Sequence, residues 1–302
     1  MDFGARRTGL LLPFSELAEE IAAMMREAAG GAIECGARGG ISLASGTSLA
    51  SMMATDGRIA VHKALTANPA NPKAGCPVLG GKVSVFSAAN GHTLMTLDGP
   101  VLVTRSAAAV SALAVKTMRP RAISALVVGT GSLARAHVEA LLRVNGIRQL
   151  KIYGRNPGKA DRLAQFARGL GADCKCVEGL PDAIASSDLV LTLTSSSNPV
   201  VPDGAFTDQL VLAAGACRGG AAELPAALVR RAGRVVVDTL EGARGDAGDL
   251  VQAGIDWGEV DELSAVFGCA ESTRPGLLIF KSVGQALWDL AAARLACKVA
   301  FS

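Results

Sequence analysis

The sequence predicts a two-domain α/β protein, with a doubly wound parallel sheet in its second half and an α+β domain in its first. Three observations carry this. From residue 124 onward, short apolar runs alternate with helical stretches, as a parallel sheet covered on both faces requires. That alternation opens on SALVVGTGSLARAHVEALL (residues 124–142), where an apolar, partly β-branched run passes through a two-glycine turn straight into a helix. Before residue 118 the order is helix, strands, helix, and 302 residues with 50% hydrophobic content can bury two cores.

In chain order, residues 14–28 read as a helix. Ser15 stands at its N-cap, Glu16 and Glu19 fall in the first turn, and Leu17, Ile21 and Met24 or Met25 lie on one face. Residues 41–64 alternate as strands, residues 58–63 among them, and the Pro- and Asn-rich residues 67–77 form a loop. Residues 82–86 and 93–97 make a hairpin around Ala89-Asn90-Gly91, and Asp98-Gly99-Pro100 reads as a second turn. The alanine-rich residues 104–118 follow as a buried helix.

Strands are then expected at 150–153, 174–177, 189–194, 210–214 and 235–237, with a helix at 157–170. Residues 282–300 form a long terminal helix suited to packing back on the first domain. The expected domains are therefore 1–118 with 282–302, and 119–281.

Composition excludes several classes of function. Net charge is +3, only 19% of residues are charged, and no basic run is interleaved with aromatics, so a nucleic-acid surface is not expected. The seven cysteines are scattered, with no C-x-x-C pair and no histidine at zinc spacing. They read as reduced, mostly buried thiols of a cytoplasmic protein without a metal site. No uninterrupted apolar run approaches the roughly 20 residues of a membrane span, so a soluble chain with no membrane partner is expected.

The glycine turn has a mechanical logic. Gly129 serves the tight turn, Gly131 lets backbone approach a pyrophosphate, and Ala134 packs helix on strand, giving G-x-G-x-x-A in a Rossmann-type unit. The helix N-terminus at Ser132 and Leu133 offers N–H groups and partial positive charge to a phosphate. In this fold a carboxylate ending the second strand holds a ribose diol, whereas an arginine accommodates a 2′-phosphate. Here the strand ends Ile152-Tyr153-Gly154-Arg155-Asn156, so NADPH is preferred and NADH remains possible. The alternative is a solvated Arg155 with Asn156 capping the next helix. Thr194 and Ser195, closing the fourth strand, stand where ligands lie in open α/β sheets, and Asp238 ends a strand on the same edge.

Five separate stretches together resemble the ornithine cyclodeaminase and μ-crystallin family. They are VHKALTANP, LDGPVLVTRSAAAVSALAV, VVGTGSLARAHVEAL, GACRGGAAELP and FKSVGQALWDLAAA. Within the family, His62-Lys63, the spacing from Asp98-Gly99-Pro100 to Thr104-Arg105, and Ala222-Glu223-Leu224-Pro225 look most like the Δ1-pyrroline-2-carboxylate (ketimine) reductase branch.

The resemblance implies a homodimer whose first domain, completed by the terminal helix, binds substrate and carries the subunit contact. It also implies a substrate in a cleft facing the nicotinamide. Arg38 and Arg105 are the implied carboxylate ligands, and Lys63 the group near the reacting carbon and nitrogen. Where cyclodeaminases of the family resemble one another in an acidic residue after the fifth strand, this chain has Cys217, a poor partner for a substrate ammonium. Val78 replaces a small polar residue nearby and makes that wall more apolar. Both departures favour a compact ring.

The reaction expected is NADPH-dependent reduction of Δ1-pyrroline-2-carboxylate, or its six-membered homologue Δ1-piperideine-2-carboxylate, to the L-amino acid. Lys63 would supply the proton that makes the C=N carbon electrophilic. Arg105 is expected to start its helix, where a cation opposes the dipole unless an anion sits opposite. His62 alternates with Lys63 and should point away from it, His92 should be solvated, and His137 should pack locally. Cys217 has no cation adjoining it in sequence but Arg218. The competing readings are an alanine-type amino-acid dehydrogenase, an ornithine cyclodeaminase, and a non-enzymatic binder of NADPH and a small ligand of μ-crystallin type.

Overall fold

The computed structural model describes residues 1–269 and 274–301, apart from the side chains of residues 45, 72 and 73. The chain divides into two compact units, Met1–Ser106 with Gln285–Ser302, and Ala107–Gly284.

The first unit is built on strands β1 (Asp2–Phe3), β2 (Glu34–Cys35), β3 (Gly39–Ser42), β4 (Ser48–Thr55), β5 (Ile59–Ala67), β6 (Leu79–Ser87) and β7 (Thr93–Asp98). They form one sheet in the order β1-β7-β6-β5-β4-β2, with β3 also paired to β4. The β1–β7 pair is parallel and the others are antiparallel, including the expected hairpin, whose Gly91 takes φ +72°.

Side chains alternate across this sheet as the pleat requires. One face carries Met52, Ala54, Val61, Lys63, Leu65, Val83, Val85, Met95 and Leu97, all buried. The C-terminal helix (Ala286–Phe301) packs on β4, β5 and an N-terminal helix, α2 (Phe14–Ala29), which follows the short α1 (Ala5–Leu10). Arg294 reaches Glu20 and Glu27 across that helix pair, and Lys298 reaches Glu20. On the opposite face Met53 is 50% exposed, with Ser51, His62 and Ser84 partly exposed beside it.

Two element ends differ from expectation. Helix α2 is capped by Pro13, so Ser15 lies inside its first turn. Helix α3 runs Gly99–Met118, so Asp98-Gly99-Pro100 is a helix start and not a separate turn. The Asp98 carboxylate accepts the Val101 N–H at 3.0 Å, and proline in the first turn lacks only an N–H that would have no helical partner there.

The division between the units falls inside α3, earlier than the Arg119-Pro120-Arg121 turn where the sequence suggested it. The second half of α3 is tied to the second unit: Ser111 bonds His137, and Asn145 donates to the Ala112 carbonyl. By length and composition α3 could cross a membrane, but 67% of its most apolar window is buried within the protein, as a core helix would be.

The second unit holds β8 (Ser124–Val128), β9 (Gln149–Tyr153), β10 (Asp173–Cys176), β11 (Leu189–Thr192), β12 (Leu210–Ala213), β13 (Arg234–Val237), β14 (Val260–Glu262) and β15 (Leu278–Lys281). All pair in parallel in the order β10-β9-β8-β11-β12-β15-β13-β14. The chain winds outward from β8 in both directions, which makes the β8–β11 boundary the topological switch point. Helices α4 (Ser132–Ala140) and α5 (Pro157–Gly169) follow β8 and β9.

Strands β14 and β15 are absent from the sequence reading, and β15 is inserted between β12 and β13. Residues 282–285 are not helical. Asp238 accepts the N–H groups of Val283 and Gly284 and the Ser282 hydroxyl, which holds this segment out of the helix, with Gly284 at φ +80°. Asp238 is thus spent on backbone and is unsuited to lining a ligand site.

The cysteines are free, as expected, but not mostly buried. Cys35, Cys76, Cys176 and Cys269 are exposed, because they sit on short edge strands and in loops.

Candidate active site

The candidate dinucleotide site of the second unit is a switch-point edge. Gly129 takes φ +126°, and a Cβ there would lie 2.5 Å from the Leu193 carbonyl oxygen, so only glycine lets the turn cross the end of β11. Gly131 is the extended N-cap of α4, and a Cβ on it would meet nothing within 4 Å. Ser132 and Leu133 open the helix with no acidic residue in the first turn, and Ala134 is fully buried beneath it. An uncapped, acid-free helix start above a glycine with open space fits a pyrophosphate.

Beyond β9, Thr130 packs against Gly154, whose added Cβ would lie 2.5 Å from Thr130 Cγ2. Arg155 is exposed at the strand end, and Asn156 caps α5 by accepting the Lys159 N–H at 3.0 Å. Asn156 is therefore committed to the helix, whereas Arg155 meets no protein anion among the described residues.

Thr194 and Ser195 lie in the loop after β11, since that strand ends at Thr192. Ser195 is exposed, while Thr194 is anchored by Glu223, which the sequence offered only as part of a family-like stretch. The buried Glu223 carboxylate accepts the Thr194 N–H at 2.6 Å and its hydroxyl at 2.7 Å on one oxygen. Its other oxygen accepts the N–H groups of Gly215 and Ala216 at 2.9 and 3.0 Å. Burial pushes the Glu223 carboxyl upward, against those hydrogen bonds and the nearby Lys281.

Lys281 is itself wholly buried and pairs with Asp249 at 2.6 Å. Asp249 also accepts the Leu224 N–H at 2.8 Å. One polar network therefore ties together the loops after β11 and β12 and the end of β15. Half-buried Cys217 lies within electrostatic reach of Lys281, so its surroundings are more cationic than Arg218 alone suggested. Glu223 and Lys281 were inside stretches read for likeness, and the signal that could have found them is a charged residue within an apolar run.

The first unit holds a second group of candidate residues. Lys63 on β5 is 7% exposed, and its Nζ stands 2.6 Å from Asp289 of the C-terminal helix, 2% exposed. Burial pushes the Asp289 carboxyl upward, while Lys63 and then Arg38 pull it down. Arg38, exposed in the segment between β2 and β3, is thereby near the same carboxylate. Asp289 was missed because nothing in a helical pattern marks one aspartate as facing a lysine more than 200 residues away.

Arg105 falls in the second turn of α3, so the helix-start argument for an opposing anion lapses. Its Nε donates to the Leu12 carbonyl at 2.7 Å, and its guanidinium lies 3.9 Å from the Phe14 ring centroid.

The histidines take structural places. His62 Nε2 is 2.9 Å from Ser51 Oγ on the face opposite Lys63, and His92 is exposed. Buried His137 donates from Nδ1 to the Leu133 carbonyl, and desolvation lowers its pKa to about 4. Among the described residues no group of three His, Cys, Asp or Glu side chains could hold a metal ion.

A parallel sheet with a glycine-rich switch point, joined to a unit that buries a lysine–aspartate pair, defines an α/β protein of the dinucleotide-binding class. Comparison with known sequences and structures sharpens this. The chain belongs to the ornithine cyclodeaminase/mu-crystallin family, whose profile matches residues 5–300. It is 36% identical over 296 residues to Delta(1)-pyrroline-2-carboxylate reductase 1 of Burkholderia multivorans, covering 97% of this chain and 94% of that protein. It is 37% identical over 299 residues, with the same coverage, to the Delta(1)-pyrroline-2-carboxylate/Delta(1)-piperideine-2-carboxylate reductase of Azospirillum brasilense. Among solved structures, the Thermococcus litoralis Delta(1)-pyrroline-2-carboxylate reductase in complex with NADH and L-proline superposes with a TM-score of 0.90. It is 26% identical, covering 96% of this chain and 94% of that one.

Proposed function

We propose that this chain is an NAD(P)H-dependent oxidoreductase acting on a C=N bond, reducing Δ1-pyrroline-2-carboxylate and its six-membered homologue Δ1-piperideine-2-carboxylate to L-proline and L-pipecolate. The observation that carries this reading is the near-full-length likeness to the two bacterial reductases. When bound, the reduced nicotinamide supplies the hydride that adds to the C=N carbon.

The chain's own residues have separable tasks. Lys63 donates a proton to the imine nitrogen, so that hydride addition yields a neutral secondary amine from an electrophilic iminium. Arg105 and Arg38 hold the substrate carboxylate, and the Leu12 and Phe14 contacts fix the direction in which Arg105 presents its guanidinium. Cys217 offers no carboxylate to a substrate ammonium, which favours a ring over an open-chain diamine.

For the cofactor, Gly129, Gly131, Ser132, Leu133 and Ala134 form the pyrophosphate turn, with Thr194 and Ser195 on the adjoining loop. Arg155 holds a 2′-phosphate and makes NADPH the preferred donor, supported by its exposure and by the absence of any carboxylate at the end of β9. Free thiols fit a reducing, cytoplasmic setting. The partly open face of the first unit's sheet, with Met53 on β4 and Ile41 on β3, is the surface for a homodimer.

NADPH and NADH oxidation should be followed with Δ1-pyrroline-2-carboxylate, with pyruvate plus ammonium alongside. Turnover of the cyclic imine is expected, with a kcat/KM higher with NADPH. Arg155→Ser should lower efficiency with NADPH at least about tenfold while sparing NADH, as loss of one charge-assisted phosphate contact requires. Turnover of pyruvate without the imine would overturn the substrate, and a wild-type preference for NADH would overturn the role of Arg155.

A further inference from the structure

Sheet and helix place one buried carboxylate directly against the lysine assigned to proton transfer. Among the described residues, Asp289 is the partner of Lys63 Nζ, at 2.6 Å. An ammonium has three N–H donors and this contact takes one, so Asp289 anchors the group while leaving donors for a substrate. Burial disfavours an isolated ammonium, and a carboxylate at this distance offsets that penalty.

The surrounding charges leave Asp289 to Lys63 and Arg38. The C-terminal helix packs on β4, β5 and α2. Strand β4 carries no charged residue, and on β5 His62 faces the other side, against Ser51. On α2, Glu20 and Glu27 are engaged by Arg294 and Lys298, farther along the helix, and Asp56 lies 3.5 Å from Arg294. With Lys63, Arg38 and Asp289 ionised the cluster carries one net positive charge, the complement of a single substrate carboxylate.

We propose that Asp289 is a positioning residue for imine reduction, acting through Lys63 by holding its ammonium in place and charged; this rests on the reductase reading above. The side chain touches Lys63 and not the reacting atoms. A merely structural aspartate would affect stability and leave the pH dependence of turnover unmoved.

The test compares full-length wild type with D289N, D289E and K63M. The first measurement is kcat and KM for Δ1-pyrroline-2-carboxylate with NADPH across neutral to alkaline pH, with NADPH binding as the check of folding. In D289N, kcat should fall at least about tenfold with a smaller change in KM, and the alkaline limb should move down by about one pH unit or more. D289E should recover part of the rate and return the limb toward that of the wild type.

The second measurement is independent of turnover: competitive acetylation of Lys63 against pH, read by mass spectrometry, in wild type and D289N. An acetylation midpoint lower in D289N supports the coupling even if no form reduces the imine, in which case it is the reductase reading that fails. A wild type that turns over the imine, with limb and acetylation midpoint both unchanged in D289N, overturns the role of Asp289.

Discussion

Replacing Glu223 by glutamine tests whether the buried network behind the switch point builds the cofactor edge. The two carboxylate oxygens accept four hydrogen bonds, two from Thr194 and one each from Gly215 and Ala216. Glutamine keeps the shape but exchanges one acceptor oxygen for an NH2 group. With the NH2 turned toward Gly215 and Ala216, two N–H groups lose their acceptor; turned toward Thr194, the hydroxyl rotates to accept and only the Thr194 N–H is left facing a donor. The better orientation therefore leaves one unsatisfied buried donor, at a cost of about 1–3 kcal/mol. Relief of a desolvated charge offsets part of that, and a net loss of about 1–2 kcal/mol is expected.

The same change loosens the backbone of Thr194 and Gly215, so NADPH affinity should drop about tenfold or more, on the scale of about 1.4 kcal/mol per decade. Urea unfolding and cofactor fluorescence titration read the two quantities. A stability within about 0.5 kcal/mol of wild type, the range of an ordinary surface substitution, together with unchanged cofactor affinity would refute the reasoning.

Two further outcomes follow from the fold. The folded-state pKa of His137 is lowered to about 4, below the ordinary 6.5, so the unfolded chain binds the proton more tightly as the solution is acidified. Its stabilising contribution is present above the ordinary value and is lost as pH falls toward the folded value, a loss of about 3 kcal/mol. Unfolding free energies of wild type and His137→Gln at pH values spanning that interval should converge in acid, and parallel curves would contradict the assignment. On the open sheet face, Met53→Asp puts a charge where Met53 is half-exposed. Sedimentation should show the wild type as a dimer and the variant shifted to the single-chain mass, and a dimer that persists would locate the contact elsewhere.

Local pattern made much of this protein readable. The β8-turn-α4 unit is written in adjacent residues: a buried apolar run, Gly129 where only glycine tolerates the approach of Leu193, and a helix start with no acid near it. The β6–β7 hairpin was legible because Asn90-Gly91 supplies its turn, and the β5 alternation because strand period alone puts Lys63 and His62 on opposite faces. Arg155 at the end of β9 follows from the same local logic.

What only the tertiary structure decided is how residues far apart in the chain meet, since that depends on strand order and helix docking and not on neighbouring sequence. Strand β15 crosses back between β12 and β13, and only that crossover buries Lys281 beside Asp249 and Glu223. Residues 282–285 continue the expected terminal helix in the sequence but are held out of it by Asp238. The C-terminal helix returns to the first sheet in the one rotation that sets Asp289 against Lys63. Periodicity names the buried side of a strand or helix, but the partner found there is settled by packing.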